Sequence, residues 1–151
     1  VHGKEICIQK SRPHSFEISL PNDFSSVAYL IALGLLSGQQ KMFRNVCVNE
    51  RRIGMVKILQ KSGAKITFLN NRKCFGEDVA DILVEKSDLS PFRATYGEVC
   101  DAIDEIPVLA SLAVATKGKH LFCNVSELKH KESDRIQAII RTVCACGQRA
   151  F

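Results

Sequence analysis

An internal repeat of about 80 residues is the feature of this sequence that most constrains its fold. Three residue pairs mark the two copies: Gly38 with Gly118, Asn45 with Asn124, and Gly63 with Gly147. In each copy a helix, a strand and a second helix are predicted, with a glycine after each helix. The pattern indicates an α/β fold of two β-α-β-α-β-β-like units. Four residues follow Gly147, where the first copy continues into a strand, so we expect the chain to be a fragment.

The spacing of apolar residues predicts the individual elements. Helices are expected over 24–36, 51–62, 105–116 and 131–145. Strands are expected over 4–9, 15–20, 41–48, 65–69, 80–85 and 120–125, with a turn over 70–73 and a loop over 89–98.

Charge and composition narrow the class of partner. The chain has 151 residues with 21 Lys and Arg against 16 Asp and Glu, a net charge of +5. The cations are scattered and there is no Trp, which argues against a nucleic-acid groove and favours a small anionic ligand. No apolar run is long enough to span a membrane, so no membrane partner is expected.

Cysteine usage bears on metal binding and on the compartment. The seven cysteines include no C-x-x-C pair, and the four histidines are dispersed, so no metal site is expected. Reduced thiols are typical of the cytoplasm, where we expect the protein to lie.

A first polar cluster contains Asp101, Asp104 and Glu105 and lies just before the apolar helix of the second copy. Acidic residues at a helix N-terminus cap its free N–H groups and interact favourably with the helix dipole, which is one interpretation. The other is a carboxylate placed for general-base work on a hydroxyl.

A second cluster, Lys131-Glu132-Ser133-Asp134-Arg135, is predicted to open the last helix. Lys131 and Arg135 would then share one helix face, near the positive end of the dipole. An anionic ligand would resolve that conflict, whereas the alternative is an ion-pair ladder within the cluster. Because the two helices hold equivalent places in the second copy, both N-termini are expected to face one cleft.

Three stretches resemble the 5-enolpyruvylshikimate-3-phosphate synthase family. They are residues 20–29 (LPNDFSSVAY), 103–110 (IDEIPVLA) and 131–136 (KESDRI). In the first stretch Asn22 stands where the family usually has glycine. The resemblance runs over nearly the whole chain.

The resemblance implies a reaction and a set of roles. Family members transfer the enolpyruvyl group of phosphoenolpyruvate to the 5-hydroxyl of shikimate 3-phosphate and release phosphate, on the route to chorismate and the aromatic amino acids. No metal or organic cofactor is implied. Asp104 would be the catalytic base and contact shikimate 3-phosphate, and Glu132 would take part in proton transfer at the methylene carbon. Lys131 would bind shikimate 3-phosphate, and Arg135 would bind phosphoenolpyruvate.

The resemblance also implies an architecture. The family has two domains, each an inside-out barrel of three β-α-β-α-β-β units, with the active site between them. Residues 1–20 would then be the end of the N-terminal domain and the approach to the hinge. Residues 21–151 would be a partial C-terminal domain with about two of its three units. The complete enzyme is expected to be a monomer, and this fragment alone is expected to show no turnover.

Two alternatives stay open at this point. One is the related UDP-N-acetylglucosamine enolpyruvyl transferase, which shares the fold and the donor. The other is a non-catalytic remnant or module of the same fold.

Overall fold

A computed structural model describes residues 7–12 and 14–151 of the chain. The first copy of the repeat contains α1 (Phe24–Ser37), β1 (Lys41–Cys47), α2 (Gly54–Lys61), β2 (Ile66–Cys74) and β3 (Glu77–Val84). The second contains β4 (Arg93–Ala94), α3 (Tyr96–Cys100), α4 (Ile106–Ala115), β5 (Leu121–Phe122), a 3-10 helix (Ser126–His130) and α5 (Arg135–Ala145). None of the helices in these described ranges has the length and apolar character needed to cross a bilayer.

The first copy builds a three-stranded antiparallel sheet in the order β1-β3-β2. β3 is the central strand because it is the most apolar, with four of its last five residues buried. A tight hairpin joins β2 to β3 through Phe75 and Gly76, both of which have positive φ. That combination matches the twist of two antiparallel strands.

The Asp81 side chain on β3 forms hydrogen bonds to the β-bulges of both outer strands. β1 bulges between Phe43 and Val46, and β2 bulges between Leu69 and Arg72. The Asp81 carboxylate accepts hydrogen bonds from the Asn45 N–H at 2.8 Å and from the Asn70 side chain at 2.9 Å. These hydrogen bonds lower the pKa of Asp81 below its usual value, with the Asn45 N–H contributing most.

The second copy follows the same path with much shorter strands. β4 pairs parallel with β5, as Asn22 pairs parallel with Val46 in the first copy. The marker residues have the same backbone conformation in both copies: φ is 54° at Asn45 and 56° at Asn124. The two repeated units predicted from the sequence are therefore confirmed.

The core forms where the central helices of the two copies meet. α1 packs against α4, and both are apolar around most of their circumference. The largest fully buried side chains near this contact include Phe24, Ile31, Leu109 and Leu112. Since these helices begin close together, their N-terminal residues lie on one face of the molecule.

Several predicted bounds are wrong. The segment 15–20 forms no strand, because no described strand pairs with it and Phe16 and Leu20 are exposed. For the strand over 4–9, residues 4–6 lie outside the described residues, and 7–9 are not in a strand. The helix over 51–62 begins only at Gly54, because Asn49 closes a turn by accepting from the Arg51 N–H at 3.0 Å.

The predicted turn over 70–73 is part of β2. Asn70 has the positive φ of a turn residue, but this conformation serves the bulge, and the chain reverses at Phe75 and Gly76. The predicted loop over 89–98 contains β4 and most of α3. The strand over 120–125 is reduced to Leu121–Phe122, because its only partner in the described chain, β4, has two residues.

Candidate functional site

The candidate site lies where α1, α4 and α5 begin. Asp23 caps α1, accepting from the Ser26 N–H at 2.9 Å, and Asp134 caps α5, accepting from the Gln137 N–H at 3.0 Å. Glu105 occupies the cap position of α4, but its side chain makes no capping hydrogen bond there. Some polar side chains on this face therefore cap the N-termini of helices, and others contact one another.

The last helix does not open at Lys131, as the sequence predicted. Asp134 is a strong N-cap and starts α5 at Arg135, whereas Lys131 follows the 3-10 helix with extended backbone. Lys131 and Arg135 therefore do not share one helix face. They still converge, because the turn between the two helices brings both cations to the same carboxylate.

That carboxylate belongs to Asp104. The Lys131 Nζ lies 3.5 Å from Asp104 Oδ1, and the Arg135 Nη1 lies 3.3 Å from the same oxygen. The Asp104 side chain is 48% exposed, while Lys131 and Arg135 are 24% and 27% exposed. The two predicted clusters thus form one site, which is open to solvent on the side of Asp104.

Two further carboxylates complete the charge pattern. Glu132 Oε2 lies 2.8 Å from Arg135 Nη2, and Glu127 Oε1 lies 3.5 Å from Lys131 Nζ. The Glu132 carboxyl has a lowered pKa, first through its own backbone N–H and then through Arg135, whose own pKa is raised mainly by Glu132. The predicted ion-pair ladder is therefore present in part, although Asp134 caps the helix instead of joining it.

A second group of polar residues, which the sequence did not single out as a site, lies directly behind Asp104. The Glu105 side chain points inward, and the residue is only 4% exposed. Ser25 Oγ donates a hydrogen bond to Glu105 Oε1 at 2.6 Å, and Arg52 Nη2 donates to Ser25 Oγ at 3.0 Å. Arg52 also lies 3.5 Å from Asp23.

Ser25 lies within the family-like stretch 20–29, which was its only sequence signal, whereas Glu105 was already named in the first polar cluster. The sequence could not show the pairing, because Ser25 and Glu105 are 80 residues apart and belong to different copies of the repeat. Glu105 was interpreted as a helix cap, and only the fold shows that its side chain turns away from that position.

The site has the chemistry of anion binding and proton transfer. Its two cations are only partly exposed and match phosphate or carboxylate groups, and Asp104 offers a carboxylate beside them. Among residues 7–12 and 14–151, no cluster of three or more His, Cys, Asp or Glu side chains could hold a metal ion. All seven cysteines are free thiols.

Two surface grooves lie away from this site. One, of about 570 Å³, runs between α2 and α3, and its charged residues include Lys61 and Glu98. The other, of about 470 Å³, lies beside the sheet near Phe68 and Arg72. Neither groove is lined by Asp104, Lys131 or Arg135. The candidate site is therefore separate from both grooves.

Comparisons with known proteins point to a single family. The family model for EPSP synthase (3-phosphoshikimate 1-carboxyvinyltransferase) matches residues 1–150. A 3-phosphoshikimate 1-carboxyvinyltransferase from Clostridium tetani is 39% identical over 148 residues, which cover 97% of this chain and 34% of the relative. One from Chlorobaculum tepidum is 39% identical over 141 residues, covering 91% of this chain and 32% of the relative.

Solved structures give the same result. A structure of EPSP synthase from Acinetobacter baumannii superposes with a TM-score of 0.77 at 35% identity, over 81% of this chain and 28% of that one. The chain therefore spans about a third of the length of the curated relatives it matches.

Proposed function

The chain belongs to the EPSP synthase family, and we propose that it supplies one side of an active site for enolpyruvyl transfer. The complete protein would transfer the enolpyruvyl group of phosphoenolpyruvate to the 5-hydroxyl of shikimate 3-phosphate and release phosphate. The names of the relatives favour this reaction over that of a UDP-N-acetylglucosamine enolpyruvyl transferase. Residues 1–20 would belong to the approach to the hinge, and residues 21–151 to part of the C-terminal domain.

One observation carries the proposal: Asp104 lies within 3.5 Å of both Lys131 and Arg135, although these residues come from different elements. Both substrates are anions, so two partly desolvated cations provide the attraction. Lys131 would contact shikimate 3-phosphate, and Arg135 would contact phosphoenolpyruvate. In the free chain Asp104 forms ion pairs with both cations, and a bound anion would compete with Asp104 for them.

The proposed proton transfers use the two carboxylates. Asp104 would contact shikimate 3-phosphate and accept the proton of its attacking hydroxyl, since it is exposed and reaches the cleft. Glu132 would exchange a proton with the methylene carbon of the enolpyruvyl group. It is 78% exposed, and Arg135 pairs with its Oε2 at 2.8 Å, so the carboxylate is held in place while a ligand can reach it from solvent. Neither step calls for a metal or an organic cofactor.

Free thiols are compatible with a cytoplasmic location, which we propose with the same reaction. We further propose that the complete protein acts as a monomer on small anionic substrates.

Calorimetric titration of this chain with shikimate 3-phosphate tests the proposal. We expect Lys131→Ala to weaken binding by about tenfold or more, since a hydrogen bond to a charged group is worth about 1.5–3 kcal/mol. Lys129→Ala is the matched control, because Lys129 is exposed, lies two residues away and makes no ion pair within the described chain.

Binding that is lost in Lys131→Ala and kept in Lys129→Ala would support the assignment of this half-site. Equal losses in both variants would reduce the effect to net charge and contradict the assignment. A folded chain that binds neither shikimate 3-phosphate nor phosphoenolpyruvate would indicate a non-catalytic module.

A further inference from the structure

We propose that Glu105 is a positioning residue, which Ser25 and Arg52 hold in place so that Asp104 is presented to the cleft. The inference deepens the proposed function and rests on it for the role of Asp104. Its physical basis is a chain of three contacts that links the start of α1 to the start of α4.

The first step is the opposite direction of two adjacent side chains. Asp104 is half-exposed and faces the cations, whereas Glu105 is 4% exposed and faces the protein interior. Burying a carboxyl group is costly unless a donor satisfies it. The donor is Ser25, at 2.6 Å, so the inward direction of Glu105 depends on this contact.

The second step is that the contacts which hold Glu105, here called the bridge, reach from one copy of the repeat to the other. Ser25 receives a hydrogen bond from Arg52, and Arg52 also pairs with Asp23, the cap of α1. These residues belong to the first copy of the repeat, while Glu105 and Asp104 belong to the second. These contacts therefore fix the start of α4 against the part of the molecule that carries the three-stranded sheet.

The third step is the covalent link between the two acids. Because Asp104 and Glu105 share a peptide bond, fixing Glu105 restricts where the Asp104 backbone can lie. Lys131 and Arg135 hold Asp104 through ion pairs of 3.5 and 3.3 Å to a carboxylate that is 48% exposed, and such pairs constrain position weakly. The partly buried hydrogen bond from Ser25 to Glu105, behind Asp104, supplies the constraint that these pairs lack.

Electrostatics adds a measurable property. Burial raises the pKa of Glu105, and the negative charge of Asp104 raises it further. The Ser25 hydroxyl and the positive charge of Arg52 act in the opposite direction. Loss of the Ser25 hydroxyl should therefore raise the Glu105 pKa further, because it removes a donor that favours the ionised form.

The test compares two neighbouring serines. Ser25→Ala removes the donor to Glu105, whereas Ser26→Ala removes a hydroxyl that contacts only Asp23, at 3.1 Å, among the described residues. Ser25→Thr keeps a hydroxyl and should restore the bridge. A cooperative thermal unfolding transition for each of the three variants is the control for folding.

The first measurement needs no ligand. Carbon-13 NMR of the side-chain carboxyl groups follows Glu105 and Asp104 through a pH titration of this chain. We expect Ser25→Ala to move the Glu105 midpoint to higher pH and to shift the Asp104 signal. Ser26→Ala should leave both at their wild-type values, and Ser25→Thr should restore both to those values. An Asp104 signal that is the same in wild type and Ser25→Ala would overturn the proposal.

The second measurement is calorimetric binding of shikimate 3-phosphate. We expect about tenfold weaker binding by Ser25→Ala, with Ser26→Ala and Ser25→Thr near wild type. Unchanged binding by Ser25→Ala would contradict the positioning role while leaving the proposed function intact. If the wild-type chain binds neither shikimate 3-phosphate nor phosphoenolpyruvate, the proposed function fails, and the NMR titration alone decides whether Glu105 positions Asp104.

Discussion

The two copies of the repeat follow the same path but pack very differently. α2 of the first copy buries five of its eight residues, whereas α5, its counterpart in the second, buries none. The first copy carries a sheet of three strands, and the second has a pair of two-residue strands. The residues proposed to contact substrate, Asp104, Lys131, Glu132 and Arg135, nevertheless belong to the second copy.

This difference indicates that the first copy mainly stabilises the fold, whereas the second copy carries the charged groups of the candidate site. Most of the buried apolar side chains lie in the first copy. We expect that copy to contribute more of the folding free energy, because hydrophobic stabilisation scales with the area removed from water. The second copy keeps its charged groups near solvent, where a ligand can reach them. Contacts of Glu105 and Asp101 with the first copy then transmit rigidity to the site.

The largest expected effect tests this separation directly. Met55 in α2 is fully buried, and its counterpart in α5 is Ile139, which is only partly buried. Met55→Ala should cost about 3 kcal/mol of unfolding free energy through lost burial and the cavity left behind, and Ile139→Ala about 1 kcal/mol. Urea unfolding of both variants measures the two values, and equal losses would show that the copies contribute alike.

A second change breaks the contact between the copies. A Cβ atom on Gly54 would lie 2.5 Å from the carbonyl carbon of Asp101, and the Gly54 N–H donates to the Asp101 carbonyl oxygen at 3.2 Å. Gly54→Ala should therefore cost about 2 kcal/mol and displace the segment that leads to Asp104. Gly97→Ala is the control, because a Cβ there meets nothing within 4 Å. Similar melting temperatures for the two variants would contradict this role of Gly54.

The sequence was sufficient for the repeat and for its longest elements. The apolar periodicity and the glycines at Gly38 and Gly63 predicted α1 and the end of α2, because both signals are local. The short strands were predicted wrongly because their lengths depend on partners that are distant in the sequence. Leu121–Phe122 is limited by the length of its partner, and the bulge at Asn70 depends on Asp81, eleven positions away.

The candidate site was predictable to a similar extent. The motifs around Asp104 and Lys131 identified residues that the structure brings together. The support behind Asp104 was not predictable, because the partners Ser25 and Glu105 meet only when α1 and α4 pack. The start of α5 was also missed, since the strength of Asp134 as a cap moved the helix past Lys131.

A smaller effect should appear in acid, at a second contact between the copies. Lys61 at the end of α2 pairs with Glu98 in α3, and Glu98 also accepts from the Thr95 N–H at 3.0 Å. Lys61, more than any other group, lowers the pKa of Glu98 from 4.5 to about 2. The resulting stabilisation is complete above pH 4.5 and is lost as the pH falls towards 2.

Because the Lys61 side chain is 66% exposed, we expect this contribution to be about 1–2 kcal/mol. Glu98→Gln should lower stability at neutral pH and flatten its decline in acid. Glu50→Gln serves as the control, since Glu50 is 86% exposed and, among the described residues, forms an ion pair only with Lys57, at 3.5 Å. Urea unfolding from pH 2 to 7 would contradict the assignment if Glu98→Gln kept the acid dependence of the wild type.

The smallest expected effect concerns the asparagines that mark the repeat. Asn45 and Asn124 share a left-handed backbone, with φ of 54° and 56°. Asn45 also accepts a hydrogen bond from Arg72 Nη2 at 2.6 Å, whereas the Asn124 side chain makes no hydrogen bond within the described part of the chain. Glycine suits this backbone without strain but loses more conformational entropy on folding.

We therefore expect Asn124→Gly to change the unfolding free energy by less than about 0.5 kcal/mol, because relief of strain and loss of entropy nearly cancel. Asn45→Gly should cost about 0.5–1 kcal/mol, since it removes the hydrogen bond from Arg72 as well. Paired urea unfolding curves resolve the difference. Equal values would mean that the Arg72 contact contributes nothing, and the contrast between the copies would then lie in their strands and buried helices, not in the polar residues at their turns.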